Sequence, residues 1–152
     1  MTRCGDLMKP HPICRLLSTS VRDLATAMKA ENGGPLPIVD INNGNKLLGV
    51  VTYKDLVCRV LAEGRDAIKT KAIDILSHQK QFCKTDDSIS RAITLMDQYH
   101  VSELPVVDPN LRLVGTIHQG DITKHLEDPE IPLDAASVDE IMQGDHEVRT
   151  IL

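Results

Sequence analysis

The sequence predicts an α+β fold in which one β-α-β-β-α unit is built twice, with the two small sheets packed against each other and helices outside. Displacing the 152-residue chain against itself by 68 positions pairs Asp6 with Asp74, Met28 with Met96, Leu36 with Leu104, Pro37 with Pro105 and Asp40 with Asp108. At a displacement of 66, Leu47 pairs with Leu113, Gly49 with Gly115 and Asp55 with Asp121. Each copy passes from helical periodicity to two short apolar strands and back, which is one supersecondary unit of roughly sixty residues. Hydrophobic residues make up 41 % of the chain while Phe, Tyr and Trp supply three positions, so the core is aliphatic.

Each copy opens with a short helical lead-in, Gly5 to Met8 or Ala72 to Ser77, and a brief strand around Cys14 or Phe82. Behind Ser20, a good N-cap, Val21, Leu24, Ala25 and Met28 fall at the spacing of one helix face; behind Ser88, Ile89, Ala92, Ile93 and Met96 do the same. The breaker Asn32-Gly33-Gly34-Pro35 ends the first helix, whereas the second is expected to run through Tyr99-His100-Val101-Ser102. Strands Leu36 to Ile41 and Lys46 to Thr52, then Leu104 to Asp108 and Arg112 to Ile117, are joined by turn-rich segments and form hairpins. Closing helices are expected at Asp55 to Ala62 and Asp121 to Leu126. The domain division is residues 1–66 for repeat 1, 67–127 for repeat 2 and 128–152 for an acidic tail, where Ser137 and Glu140 fit the capping box of a short helix.

The net charge of −5 argues against nucleic acid, which needs a clustered positive surface. No stretch approaches the ~20 apolar residues of a membrane helix. Cys4, Cys14, Cys58 and Cys83 show no paired spacing, so a reduced, cytoplasmic protein is expected. No His and Cys set has metal-ligand spacing, and no nucleophile comes with both a base and an orienting group, so neither a metal site nor catalysis is expected.

Thr52-Tyr53-Lys54-Asp55 stands where a strand hands over to a helix. There a carboxylate can accept the two hydroxyls of a ribose, while the threonine hydroxyl and the lysine reach a phosphate. The same residues also read as a capping box, Thr52 at the N-cap and Asp55 bonding back. On these four residues alone the capping box is the favoured reading; the aspartate recurs in copy two as Asp121.

The strings LPIVD and LPVVD, followed by GVVTYKD and GTIHQGD, resemble the signature of CBS domains, named after cystathionine beta-synthase. The resemblance covers residues 3–127 and comes in two matched copies. It implies a regulatory module that binds an adenosine-containing ligand (AMP, ADP, ATP or an S-adenosyl compound) in clefts between the copies. It further implies a homodimer acting on a separate regulated protein. One site would combine Thr52, Lys54 and Asp55 with Gln81, Phe82, Val101, Ser102 and Leu104; the other would combine His118 and Asp121 with Ile13, Gly33, Gly34 and Leu36. The second is the poorer, with His118 in place of threonine, Gly120 in place of Lys54 and Gly33 in place of Val101. Two other readings stay open: a ligand-free interaction or dimerisation module, and a cation site near Asp55 and Glu103.

Overall fold

A computed structural model of the chain describes residues 2–31, 33–77 and 81–127. In chain order it contains α1 (Cys4–Leu7), β1 (Lys9–Pro10), β2 (Arg15–Leu16), α2 (Val21–Ala30), β3 (Leu36–Asp40), β4 (Lys46–Val51) and α3, an α-turn over Tyr53–Asp55 that continues as a π-helix over Leu56–Leu61. Then follow α4 (Ala72–Ile75), β5 (Cys83–Lys84), α5 (Ile89–Tyr99), β6 (Glu103–Val107), β7 (Leu113–His118) and α6 (Gln119–Glu127). The acidic tail and its expected helix lie outside the described residues.

The two compact units do not coincide with the sequence repeats. Among the described residues, one gathers 2–12, 81–109 and 114–127, and the other 13–31, 33–77 and 110–113. Each lead-in helix therefore packs within the unit that holds the other copy's sheet. In the first unit, Cys4 N donates to Asp87 O at 2.9 Å and Gly5 N to Thr85 O at 2.9 Å, and β1 joins the sheet as its edge in the order β1-β7-β6-β5. In the second, the sheet order is β2-β3-β4, and the segment after α4 reaches β4 through the bridge of Ser77 to Val50.

The repeated residues have local causes. Ser20 Oγ accepts from Asp23 N at 3.2 Å and Ser88 Oγ from Arg91 N at 3.1 Å, so each long helix starts with a side-chain cap. Asp6 Oδ2 accepts from Arg3 N and Asp74 Oδ2 from Lys71 N, closing the first turn of each lead-in helix. Pro37 and Pro105 precede the only two residues of β3 and β6 that pair with β2 and β5, so their missing N–H groups interrupt no parallel pairing. Asp40 Oδ1 accepts from Asn42 N at 3.0 Å and starts the turn after β3.

The expected continuation of α5 through Ser102 is corrected. The helix ends at Tyr99 because His100 turns left-handed, with φ 55°, and Val101 N bonds back to Met96 O at 3.0 Å. Each closing helix starts two residues earlier than expected, at Tyr53 and Gln119, which places Asp55 and Asp121 at the third helical position.

Two aliphatic cores result. One joins Leu24, Met28, Ile38, Val51 and Ile75; the other joins Ile89, Leu104, Val106, Ile117 and Ile122 with Cys4 and Cys83. Fully burying an aliphatic side chain contributes about 1.5–3 kcal/mol, so these faces supply most of each unit's stability. No cysteine is in a disulfide. Among the described residues no helix is long and apolar enough to cross a membrane.

Cys4 and Cys83 are both fully buried, and the hydrogen bond between their thiols, together with burial, pushes the Cys83 pKa far above the ordinary cysteine value. A group with a raised folded pKa contributes stability that is complete below its unfolded value and is lost as pH rises through the folded one. Stability should therefore fall above about pH 8.5, with Cys83 contributing about 1.4 kcal/mol per pH unit. Urea unfolding between pH 9 and 10 should show a slope shallower by that amount in Cys83→Ala; equal slopes would contradict the assignment.

Candidate functional site

The two strand-to-helix junctions hold the chemistry that the sequence points to. After β4, Asp55 folds back on Thr52: its Oδ2 accepts from Thr52 N at 2.8 Å and from the Thr52 hydroxyl at 3.1 Å, while Thr52 Oγ1 accepts from Asp55 N at 3.3 Å. The capping box is thus formed, and it consumes one carboxylate oxygen and the hydroxyl. The other oxygen, Oδ1, lies 3.8 Å from Arg59 Nε in a loose ion pair. Arg59 is held by carbonyls at the end of α4, donating to Ile75 O at 3.1 Å and Leu76 O at 3.4 Å. Asp55 is 8 % exposed, so its remaining acceptor is a sheltered one, whereas Lys54 is exposed beside it.

The ring of Tyr53 lies against Gly33, where any side chain would collide with it. Gly33 has φ +83°, a conformation that glycine adopts without strain. The Tyr53 ring is half-exposed, two residues before Asp55. Leu36 is buried and pairs with Val51, the residue before Thr52; Ile13 is 38 % exposed.

The second junction repeats this pattern with other atoms. Asp121 Oδ2 accepts from His118 N at 3.1 Å, and its Oδ1 lies 3.7 Å from Lys9 Nζ. His118 Nδ1 accepts from Gly120 N at 2.9 Å, so the imidazole caps the helix where Thr52 does so in the other copy. That bond places the proton of the neutral ring on Nε2, which is left as a donor. Gln119 N donates to Ser102 O at 2.8 Å, which brings Ser102 to the same junction.

The structure places Ile13, Leu36, Thr52, Lys54 and Asp55 in one unit, and Gln81, Phe82, Val101, Ser102, Leu104, His118 and Asp121 in the other. Gln81 and Leu104 are buried, Phe82 and Val101 half-buried, and Ser102 exposed. Sequence reasoning missed Tyr53, Arg59 and Lys9. Tyr53 carries a visible signal, being one of three aromatic residues and lying inside the motif itself. Arg59 stands four residues after Asp55, the spacing of a helical ion pair. Lys9 carries no local signal, since only the fold brings it to Asp121. Among the described residues no cluster of three His, Cys, Asp or Glu side chains is placed to hold a metal ion.

The chain is similar to known proteins over most of its length. The family model for the CBS domain matches residues 4–62 and 72–128. The protein YlbB of Bacillus subtilis is 29 % identical over 147 residues, which is 96 % of this chain and 95 % of that one. The structure of Hypoxic Response Protein I, with two coordinated zinc ions, superposes with a TM-score of 0.71 at 27 % identity, covering 82 % of this chain and 99 % of that one. The CBS domain pair of protein MJ0100, in complex with 5′-methylthioadenosine and S-adenosyl-L-methionine, superposes with a TM-score of 0.66 at 27 % identity, covering 84 % and 97 %. The chain spans about half (49 %) of a curated relative from Methanopyrus kandleri. Homoserine O-acetyltransferases from methanogens match over only 20–22 % of their own length.

Proposed function

The chain belongs to the CBS-domain family, and from that premise we propose that it is a regulatory module whose strand-to-helix junctions bind an adenosine-containing ligand. The observation that carries the reading is Asp55, a sheltered carboxylate with Oδ2 fixed by Thr52 and Oδ1 left for a ligand hydroxyl, between an exposed lysine and an exposed tyrosine ring. Arg59 yields that oxygen to a ribose hydroxyl, because an ion pair at 3.8 Å on a half-exposed side chain holds it weakly. Lys54 then meets a phosphate, and the Tyr53 ring meets a flat apolar surface such as adenine.

The adenosine compounds held by the MJ0100 pair support this class of ligand; AMP, ADP, ATP and S-adenosyl compounds all present the required ribose. In this reading the protein is a non-enzymatic homodimer in a reducing compartment such as the cytoplasm, and ligand binding alters its affinity for a separate partner protein. That requires the ligand to favour one of two states. Unfolding in the presence of each ligand tests it. A true ligand at a hundredfold its dissociation constant should add about 2.7 kcal/mol to stability, a rise of several degrees in Tm. Unmoved midpoints with millimolar AMP, ADP, ATP and S-adenosylmethionine would leave the ligand-free interaction module as the better account.

A further inference from the structure

The two lead-in helices are held in the same way by different residues. For α1, Cys4 N donates to Asp87 O and Gly5 N to Thr85 O, each at 2.9 Å; for α4, Ala72 N donates to Thr19 O at 2.9 Å and Ile73 N to Leu17 O at 3.1 Å. The 68-residue displacement pairs these positions one with another, and it also pairs Cys83 with Arg15. Ala72 is as fully buried as its counterpart Cys4, so the fold asks for a small side chain there and not for sulfur. A facing pair of thiols is built into one lead-in alone.

The local backbone brings those thiols together. Cys83 opens β5, and the chain after it turns back at once: Lys84 N donates to Asp87 Oδ2 at 2.8 Å and Asp87 N to Lys84 O at 3.0 Å. That turn sets Ser88 O where it accepts from Cys4 Sγ at 3.5 Å. The Cys4 thiol also shares a hydrogen bond with the Cys83 thiol, so the two sulfurs are neighbours before any bond joins them. Both are fully buried in one core with Ile89 and Leu104, which makes them inert while the lead-in is seated. The lead-in itself is a four-residue helix followed by a two-residue strand, and so slight a segment opens locally far more easily than a core helix does.

We propose that Cys4 and Cys83 form a reversible disulfide on exposure to a peroxide, latching the lead-in onto β5. When the lead-in opens, the Cys4 thiolate attacks hydrogen peroxide and becomes a sulfenic acid, and the hydroxide released takes up the proton that Cys4 lost. On reclosing, the Cys83 sulfur attacks the Cys4 sulfur, and the hydroxyl leaves as water with the Cys83 proton. Two thiols have then lost two electrons and two protons, and the peroxide has become two waters. A dithiol reductant reverses the bond by exchange. In a reducing compartment, disulfides that do form are transient ones that register an oxidant. Between the two cysteines runs the segment that builds most of the other unit, so the bond closes a loop of about 80 residues and removes much of the unfolded chain's freedom.

Peptide mapping of the full chain, treated with hydrogen peroxide under native conditions and then with iodoacetamide to block free thiols, tests it. The fragments holding Cys4 and Cys83 should be recovered joined, two hydrogens lighter than their sum, and dithiothreitol should separate them. Thermal unfolding should show the oxidised protein melting about 10 °C above the reduced one. Cys4→Ala, the residue that the other lead-in carries, should abolish both the joined fragment and the rise in Tm. Cys83→Ala should do the same, whereas Cys58→Ser, at an exposed cysteine, should abolish neither. Mapping of the unsubstituted chain decides the question even where a variant fails to fold. Recovery of Cys4 and Cys83 as free thiols, their joining only in urea, or their joining to Cys14 or Cys58 instead would overturn the proposal. So would a joined fragment that leaves Tm unchanged, since the lead-in would then not be latched.

Discussion

Replacing Gly49 by alanine should destabilise the protein by at least about 2 kcal/mol, the upper part of the range for overpacking a tight contact. An alanine Cβ at Gly49 would press into the Ser77 carbonyl and stand 3.0 Å from the Leu76 side chain. The obstacle is backbone, which cannot rotate away as a side chain does. The bridge between Val50 and Ser77 would have to open, and with it the packing of Ile75 and Leu76 in the core. Urea or thermal unfolding measures the loss. Gly64→Ala is the control, because nothing lies within 4 Å of its Cβ and only its φ of +68° is strained. It should cost about 1–2 kcal/mol. A Gly49→Ala protein as stable as the parent would mean that the segment after α4 does not cross β4 where the structure places it.

Asp55→Ala should have the larger functional effect, removing adenosine-ligand binding at the Thr52 junction. The substitution deletes both Oδ1 and the Oδ2 that fixes Thr52, so a bound ribose loses the sheltered carboxylate. The fold should survive, since losing such a cap costs about 0.5–2 kcal/mol. Asp121→Ala should leave this junction intact. Titration with AMP should show the class of sites lost in Asp55→Ala retained in Asp121→Ala; loss of the same class in both variants would contradict the separation of the junctions.

Much of this was legible in the chain. The caps at Ser20 and Ser88 and the aspartates at 6, 74, 55 and 121 act through neighbours three residues away, so the sequence displays donor and acceptor together. The end of α5 was not legible, because nothing near His100 announces a left-handed residue that is not glycine. Nor was the π-helical continuation of α3, which shares its apolar spacing with an ordinary helix. At the site, Thr52 and Asp55 carry a local pattern, whereas Lys9 meets Asp121 across more than a hundred residues of chain. Repetition helped most where the copies agree and misled where they differ: Gly120 suggested a lost cation, and Gly33 a lost apolar surface. In the structure Lys9 stands beside Asp121, and the Tyr53 ring lies against Gly33.

The central claim is that an adenosine ligand is held at Thr52 to Asp55, and heteronuclear NMR of the labelled protein titrated with AMP tests it at those atoms. The amides of Thr52, Tyr53, Lys54 and Asp55 should be among the most shifted, with the Arg59 Nε–H signal moving in step as its hold on Asp55 Oδ1 is released. Saturable binding that leaves these five signals unmoved would contradict the account.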